Sequence, residues 1–253
     1  MIYSQNIDNK IIKTDVSDIH FDSEYDVVVV GLGTAGAISA LRAQNLNLKV
    51  LGLETLHCMG GLGTIGGVNY YYFGSKGGFF QTIDEKAFQK QKDNYISYVH
   101  PKELILEDCN ADLAYESKVI GIFLENKKII GLQWICKNVI TNTKCRFIID
   151  ATGDAHICHL AGWEPEYVRN IDKKMQPYTS VKGFFEDGRI KNTNHDSGNI
   201  NQFDQNDYSK HIISANAEWL EDDYTNKQLL YLSPMIGLRE GRRIIGESRI
   251  TLN

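Results

Sequence analysis

The chain of 253 residues lacks any apolar run of roughly 18 residues or more, and its opening, MIYSQNIDNK, is polar. We therefore expect neither a membrane-spanning helix nor a secretory leader. The five cysteines include no Cys-x-x-Cys pair, which argues against a disulfide framework or a metal site and favours the cytoplasm. No block of like charges occurs and the net charge is −5, so the sequence does not indicate a nucleic-acid partner.

Glycine, in contrast, is abundant, with 22 residues against four prolines, and the glycines are clustered. A β-branched run at 25–30 leads into GLGTAG at 31–36, followed by a helical pattern at 37–45 and an apolar run at 48–53. A strand, a Gly-rich turn, a helix and a second strand within about 30 residues predict a βαβ unit with buried parallel strands.

The first Gly-rich turn has the spacing of a dinucleotide-binding fingerprint. Gly31 allows the tight turn, Gly33 lets a pyrophosphate approach the backbone, and Gly36 lets the helix pack against the strand. The N-terminus of the helix offers N–H groups to the phosphates. Glu54 follows the second strand, where its carboxylate can bind both hydroxyls of an adenosine ribose and would repel a 2′-phosphate. The unit therefore predicts a dinucleotide other than NADP.

Two further motifs extend this prediction. The sequence GGLGTIGG occupies residues 60–67, and IIDATGD ends a predicted strand at residues 148–154. A unit that binds only NAD does not need a second Gly-rich loop, whereas a larger dinucleotide passes along more backbone. The small residues at the end of the later strand would let a cofactor lie close to the main chain, because ligands gather at the carboxyl ends of parallel strands.

Together these residues resemble the FAD-dependent oxidoreductases that have a glutathione-reductase-type FAD domain. More narrowly, GGLGTIGGV at 60–68, IDATGDA at 149–155 and LREGRRIIGE at 238–247 are similar to the bacterial FAD-dependent oxidoreductase family. The last stretch resembles the Arg-Glu-Ser-Arg-Arg-Ile element of that family, with Gly241 in the place where Ser is common. The resemblance runs over roughly residues 25–250.

The resemblance implies that the cofactor is FAD and that the substrate is a small organic molecule. It also implies a role for individual residues. The implied contacts are Gly31, Gly33, Thr34, Ala35 and Gly36 with the pyrophosphate; Glu54 with the adenosine ribose; Gly60, Gly61 and Thr64 along the pyrophosphate-to-ribityl path; the backbone of Val119 with the adenine; and Ala151, Thr152, Gly153 and Asp154 beside the cofactor.

The sequence departs from this family at its C-terminal end. Members usually continue past the Arg-Arg-Ile element and close the FAD site with a later Gly-Asp segment, and none follows here before residue 253. The resemblance therefore implies either that the chain is a fragment or that a second polypeptide completes the FAD site in a hetero-oligomer. Both interpretations stay open.

No nucleophilic triad is visible, so the residues on the substrate side are weakly specified. The candidates are Tyr70 and Tyr72 in an aromatic run, Arg239 and Arg242 in a helical pattern at 237–249, and, less strongly, His156 and His159. The two arginines lie at i, i+3 spacing and so would share a helix face that could clamp an anionic substrate or the N1–C2 oxygen of the reduced flavin. The alternative for the tyrosines is that the rings of the aromatic run alternate between core and surface. The alternative for the arginines is a solvated basic face.

The predicted fold class is α/β, a Rossmann-like FAD/NAD(P)-binding domain with a parallel central sheet. A β-hairpin insertion and part of a second, β-rich substrate module accompany it, and a further strand is predicted at 145–150. The predicted organisation is an N-terminal extension at 1–24 in which 10–13 could form a short strand, the FAD-binding domain at 25–162, a partial substrate or cap module at 163–235, and a helix returning to the FAD domain at 236–253.

The predicted function is that of a FAD-dependent oxidoreductase, or of its nucleotide-binding half, which moves a hydride between a small organic substrate and the flavin. One alternative is an NAD-dependent dehydrogenase that uses only the first Gly-rich turn and Glu54. Another is a non-catalytic subunit that binds nucleotide within a split flavoprotein complex. The second Gly-rich loop argues against the NAD alternative.

Overall fold

The computed structural model divides into two compact units, the first formed by residues 1–60, 106–166 and 242–253, and the second by residues 61–105 and 167–241. Within these ranges the structure describes residues 1–8, 10–68, 77–79, 81–83, 85, 86, 89, 109–164, 166, 171, 172, 174, 178–201, 204–220, 225–238 and 241–246.

The first unit is built on an eight-stranded sheet. Its elements in chain order are β1 (Ile2–Ile7), β2 (Lys10–Asp15), β3 (Ser23–Val30), α1 (Thr34–Gln44), β4 (Val50–Leu53), β5 (Asp112–Ala114), β6 (Ser117–Glu125), β7 (Lys128–Cys136), β8 (Val139–Asp150) and α2 (His156–Leu160). The strand order is β2-β1-β6-β7-β8-β3-β4-β5. Strands β8, β3, β4 and β5 are mutually parallel, and the other pairings are antiparallel.

The predicted βαβ unit is confirmed by β3, α1 and β4. Val28 pairs with Leu51 on one side and with Ile148 on the other, and its side chain is fully buried. Where a strand has neighbours on both edges and covered faces, its residues have to be apolar, which explains the run of valines in the second half of β3. This parallel part brings the ends of β3, β4 and β8 to one edge of the sheet.

Two tight hairpins join β6, β7 and β8. The first turn places Asn126 and Lys127 at positive φ, as a two-residue loop between twisted antiparallel strands requires, and confirms the predicted hairpin. The second turn, at Lys137 and Asn138, has the same conformation. Strand β8 therefore begins well before the predicted strand at 145–150, because its polar first half pairs along β7 instead of packing in the core.

Residues 1–24, predicted as an extension, contribute the β1–β2 hairpin to the sheet. Strand β1 pairs with β6, and its Ser4 lies opposite Ile122. The side chain of Ser4 is fully buried, and its hydroxyl donates to the carbonyl of Leu160 over 2.6 Å. The predicted short strand at 10–13 lies within β2. The sequence does not indicate β1, whose partner β6 lies more than a hundred residues away in the chain.

The second unit contains β9 (Tyr178–Glu186), β10 (Arg189–Ser197), α3 (Gln205–Leu220) and β11 (Gln228–Leu232). Strand β9 is the centre of a three-stranded antiparallel sheet in the order β10-β9-β11. A small apolar cluster, in which Ile200 and Ile236 are buried against Tyr208 and Ile212, holds α3 in this unit. The β-rich second module of the predicted fold class is thus present.

The predicted helix at 236–253 is wrong for the residues that the structure describes there, because 236–238 and 241–246 are not helical. The backbone of Arg243 instead forms an antiparallel bridge with Glu166, with hydrogen bonds of 2.8 and 2.9 Å in the two directions. The amide of Arg242 is also bound outside the segment. Because these amides bond elsewhere, they cannot form the i→i−4 bonds that a helix requires.

Candidate functional site

The turn between β3 and α1 depends on close backbone approaches that only glycine permits. Gly31 has a φ of +84°, and a Cβ there would lie 2.6 Å from the carbonyl oxygen of Ala151. A Cβ on Gly36 would overlap the carbonyl oxygen of Gly31. These two glycines therefore shape the turn and seat it against the end of β8, as two of the three roles in the fingerprint require.

The third glycine of the turn, Gly33, has a different surrounding. It is the N-cap of α1, no side chain caps this helix end, and the first turn carries no acidic residue. A Cβ on Gly33 would have no neighbour within 4 Å. An uncapped helix N-terminus with open space in front of it matches the demands of a dinucleotide pyrophosphate, which takes the N–H groups as donors.

Glu54, at the end of β4, is buried with an exposed fraction of 6%. Its Oε2 accepts the amide of Leu32 over 2.5 Å, and its Oε1 accepts the amide of Leu56 over 2.9 Å and the hydroxyl of Thr55 over 3.0 Å. A carboxylate offers roughly four acceptor positions, so the described residues leave about one on Oε2. Glu54 thus fixes the Gly-rich turn and retains one position for a ribose hydroxyl, where the sequence predicted two.

A second turn, at residues 151–155, follows β8 and is held by its own polar side chains. Asp150 accepts the amide of Thr152 through Oδ1 and the amides of Ile157 and Cys158 through Oδ2, at 2.9–3.2 Å. The hydroxyl of Thr152 donates to Asp150 over 2.7 Å and accepts the amide of His156 over 3.0 Å. The side chain of Thr152 is therefore committed to the turn, which leaves mainly backbone for a ligand.

The backbone of this turn is open at Gly153, which has a φ of +73° and where a Cβ would have no neighbour within 4 Å. Ala151 donates its amide to the carbonyl of Val30 over 2.8 Å, so the turn lies directly beside the end of β3. Two open backbone positions, Gly33 and Gly153, thus follow two adjacent parallel strands. The carboxyl ends of adjacent parallel strands are where ligands bind in open α/β sheets.

Asp154 and Arg242, which the sequence placed in separate motifs, form a partly buried ion pair. The Asp154 carboxylate accepts the Arg242 amide over 3.0 Å, Nε over 3.0 Å and Nη2 over 2.5 Å. Nε also lies 3.0 Å from the Asp154 carbonyl oxygen. The two side chains are 23% and 8% exposed. Two N–H groups of the planar guanidinium thus converge on Oδ2, while Oδ1 accepts the backbone amide.

His156 joins the turn after β8 to β6. Its Nε2 lies 3.2 Å from the carbonyl oxygen of Val119, the residue whose backbone was predicted to meet the adenine. Burial lowers the pKa of His156, and the nearby Arg242 lowers it further, so the neutral ring with a proton on Nε2 fits this contact. Burial and Arg242 also lower the pKa of His159. The carbonyl of Val119 therefore already has a partner within the protein.

The second Gly-rich loop begins in the first unit with Gly60. Its amide donates to the carbonyl of Leu32 over 2.7 Å, and Gly60 and Gly33 form a parallel bridge. The carbonyl oxygen of Gly60 accepts the hydroxyl of Thr34 over 3.4 Å. Gly60 is thus part of the same backbone arrangement as the first Gly-rich turn, and its φ of +92° explains why a glycine is needed.

The remainder of this loop belongs to the second unit. A short 3₁₀ helix spans Gly61–Gly63, and the amides of Thr64 and Gly66 donate to the carbonyl of Gly61 over 3.2 and 3.1 Å. Thr64 is buried, and a Cβ on Gly67 would lie 2.9 Å from the side chain of Val181 in β9. These contacts give several of the loop glycines a packing reason as well as the predicted one.

Three of the four principal substrate-side candidates, Tyr70, Tyr72 and Arg239, lie outside the described residues. The helix face that Arg239 and Arg242 were to share is not formed at Arg242, because its side chain is bound to Asp154. Sequence reasoning also missed the roles of Asp150 and of the Leu32 amide. An Asp between an apolar run and Ala-Thr-Gly could have indicated the role of Asp150. Nothing in the local sequence indicates that the amide of Leu32 is bound by a side chain.

Within the described part of the chain, no helix is long and apolar enough to cross a membrane. No group of three or more His, Cys, Asp or Glu side chains in that part could hold a metal ion. All five cysteines are free thiols. Burial raises the pKa of Cys145 to about 11 and that of Cys158 to about 11, which keeps both thiols protonated near neutral pH.

Several solved flavoprotein structures share this fold. A geranylgeranyl bacteriochlorophyll reductase-like protein from Thermoplasma acidophilum has 18% identity and a TM-score of 0.51, covering 85% of this chain and 66% of its own. The p-nitrophenol 4-monooxygenase from Pseudomonas putida DLL-E4 has 13% identity and a TM-score of 0.52, and the match covers 88% of this chain and 72% of that enzyme. The myxobacterial chondrochloren halogenase has 12% identity and a TM-score of 0.51, and the match covers 86% of this chain and 64% of the halogenase. This chain thus spans about two thirds of their lengths.

The likeness at these identities shows the fold alone, and no curated protein matches the sequence. The family comparison is more specific. The model of the FAD dependent oxidoreductase family matches residues 26–218, which include both Gly-rich motifs, Glu54 and the turn after β8. The chain therefore belongs to the FAD-dependent oxidoreductase family, whose cofactor is FAD.

Proposed function

We propose that this protein is a FAD-dependent oxidoreductase that moves a hydride between a small organic substrate and the flavin. The observation that carries the proposal is the uncapped N-terminus of α1 at Gly33, which has open space before it and Glu54 at the neighbouring strand end. When bound, FAD supplies the hydride-accepting chemistry. The residues of the chain bind it, orient it and exclude water around it.

We propose the following division of work. The amides at the start of α1 bind the pyrophosphate, with Gly31 and Gly36 holding the turn and Gly33 keeping the approach open. Glu54 accepts one ribose hydroxyl through its remaining position on Oε2. The residues proposed to act with them are Thr34, Ala35, Gly60, Gly61 and Thr64 for the pyrophosphate and ribityl path, Val119 for the adenine, and Ala151, Thr152, Gly153 and Asp154 beside the cofactor.

The two alternatives to this function gain no support. The family match includes the second Gly-rich loop and the turn after β8, which a dehydrogenase built on the first turn and Glu54 alone does not explain. Nothing among the described residues points specifically to a non-catalytic subunit.

The proposal is tested by titrating the purified apoprotein with FAD, NAD and NADP and following flavin fluorescence and tryptophan quenching. We expect FAD to bind more tightly than either nicotinamide cofactor. Glu54→Gln should weaken FAD by about 10-fold, because it removes a charged acceptor from the ribose and from the Leu32 amide. The control Glu24→Gln changes a glutamate that is 62% exposed and should leave the affinity unchanged. Equal affinity in all three proteins would contradict the role of Glu54.

We also propose that a second polypeptide completes the FAD site in a hetero-oligomer and that the protein works in the cytoplasm. The first is carried over from the family resemblance, which equally allows that these residues are part of a longer chain, and the second is supported by the five free thiols. Purification alone and after co-expression with the product of the adjacent open reading frame tests the partner. A flavin spectrum only in the co-expressed sample is expected, whereas a stable chain saturated with flavin on its own would contradict it.

A further inference from the structure

The Asp154–Arg242 pair joins two parts of the chain that lie 88 residues apart. Four hydrogen bonds run from the amide and guanidinium of Arg242 to the carboxylate and carbonyl oxygens of Asp154. The Arg242 side chain is only 8% exposed. Such a partly buried pair is costly to break, because the remaining charge would be left in a poorly solvated position.

Asp154 is the last polar residue of the turn after β8, whose backbone lies against Gly31 and stays open at Gly153. Asp150 anchors the first half of this turn through the amide and hydroxyl of Thr152. The second half, at Asp154, is anchored by Arg242. The turn that is proposed to flank the cofactor is therefore held at both ends, and one of the two anchors comes from a distant segment.

We propose that Arg242 is a positioning residue for the cofactor, which fixes the turn at residues 151–155 through Asp154 and so couples the docking of residues 242–246 to FAD binding. This inference rests on the proposed function. It gives Arg242 a different role from the substrate clamp that the sequence indicated. Arg242 acts on FAD through the backbone of the turn and has no need to touch the substrate.

Thermodynamic linkage gives the inference a reciprocal consequence. If docking of Arg242 raises the affinity for FAD by some factor, then FAD raises the stability of the docked segment by the same factor. The amides of Arg242 and Arg243, which are bonded to Asp154 and Glu166, should therefore exchange their hydrogens more slowly when FAD is present. A merely structural ion pair would not respond to FAD in this way.

The first measurement compares FAD affinity in Arg242→Lys with the parent protein. Lysine keeps the charge and loses the planar fork, so we expect binding to weaken by about 10-fold. The matched control is Arg146→Ala, which removes an arginine from another Arg–Asp pair, that of Arg146 with Asp26, where the arginine is 68% exposed. This control should leave FAD affinity unchanged.

The second measurement repeats Arg242→Lys in the background of Asp154→Asn. If Arg242 acts through Asp154, the lysine substitution should change FAD affinity less than about twofold in that background. A persistent 10-fold loss would mean that Arg242 acts on the cofactor directly, and would overturn the inference.

Hydrogen exchange of the parent protein with and without FAD needs no variant and so remains informative if the substitutions prevent folding. Faster or unchanged exchange at residues 242–246 in the presence of FAD would overturn the inference. So would equal FAD affinity in the parent and Arg242→Lys, while the proposed function would survive. A parent protein that does not bind FAD would overturn the proposed function and this inference with it.

Discussion

The turn after β3 and the turn after β8 lie side by side, yet they are built by opposite means. The first consists of glycines and apolar residues, and Glu54 reaches in from β4 to hold it through the amide of Leu32. The second contains its own acids and a threonine, whose side chains are taken up by bonds within the turn and by Arg242. The turn after β3 thus leaves amides free for a ligand, whereas the polar side chains of the turn after β8 form the hydrogen bonds that hold that turn together.

Two turns that the resemblance assigns to the cofactor can therefore contribute to its binding in different ways. A residue that matches a cofactor motif contributes either an open backbone, as Gly33 and Gly153 do, or a side chain that holds such a backbone in place, as Asp150 does. Substitutions at the two kinds of position should therefore separate loss of FAD binding from loss of stability.

The largest effect is expected for Gly36→Ala. Alanine favours a helix interior over glycine by about 1 kcal/mol, so without a clash the change would stabilise α1. The new Cβ would overlap the carbonyl oxygen of Gly31, and we expect the free energy of unfolding to fall by about 3 kcal/mol. Urea unfolding followed by circular dichroism measures it. A more stable variant would show that the turn is looser than described.

Asp150→Asn comes next. The amide group of asparagine cannot accept all the bonds that the carboxylate receives from Thr152, Ile157 and Cys158, so we expect a loss of about 2 kcal/mol in the free energy of unfolding. The control Asp187→Asn alters an aspartate that is 81% exposed in a hairpin turn and should have little effect. Equal stability of the two variants would remove the distinction between the turns.

Gly33→Ala is expected to weaken FAD binding while changing the stability of the fold little. No atom lies within 4 Å of the new Cβ, so we expect the free energy of unfolding to change by less than about 1 kcal/mol, the scale of an N-cap effect. The methyl group would stand in the approach to the α1 amides, and FAD affinity should fall by about 10-fold or more. FAD titration beside a melting curve tests both halves, and intact FAD affinity would argue against a pyrophosphate at this position.

The smallest effect is expected from His156→Gln, and it depends on pH. Burial lowers the pKa of His156 below its usual 6.5, so the unfolded chain binds a proton that the folded chain does not. Stability should therefore fall as the pH drops below about 6.5 and level off below the folded-state pKa. Arg242 and Lys118 favour the neutral ring, and Asp150 opposes them.

The variant is expected to show a shallower loss of stability between pH 7 and pH 5 than the parent, in chemical unfolding at a series of pH values. Part of the slope should remain, because His159 also has a lowered pKa. The control His20→Gln, at a side chain that is 88% exposed, should retain the parent slope. A steeper slope in His156→Gln would reverse the sign argued here.

The sequence predicted β3, α1, β4 and the β6–β7 hairpin because each has a strong local pattern: an apolar run, a Gly-rich turn or a polar turn between alternating strands. It missed β1, which pairs with the distant β6, and the first half of β8, which is polar and pairs with the adjacent β7. It also predicted a helix around Arg242, where the spacing suits a helix and long-range bonds prevent one.

Among the residues proposed to bind the cofactor, the sequence by itself indicated the glycines of the first turn and Glu54, because their proposed roles follow from backbone freedom, charge and position after a strand. Only the tertiary structure decided how the polar residues act. It showed that Glu54 holds the amide of Leu32, that His156 meets the carbonyl of Val119, and that Asp154 binds Arg242. These bonds join residues 22 to 88 positions apart, and no local pattern encodes which distant partner a charged or polar side chain will find.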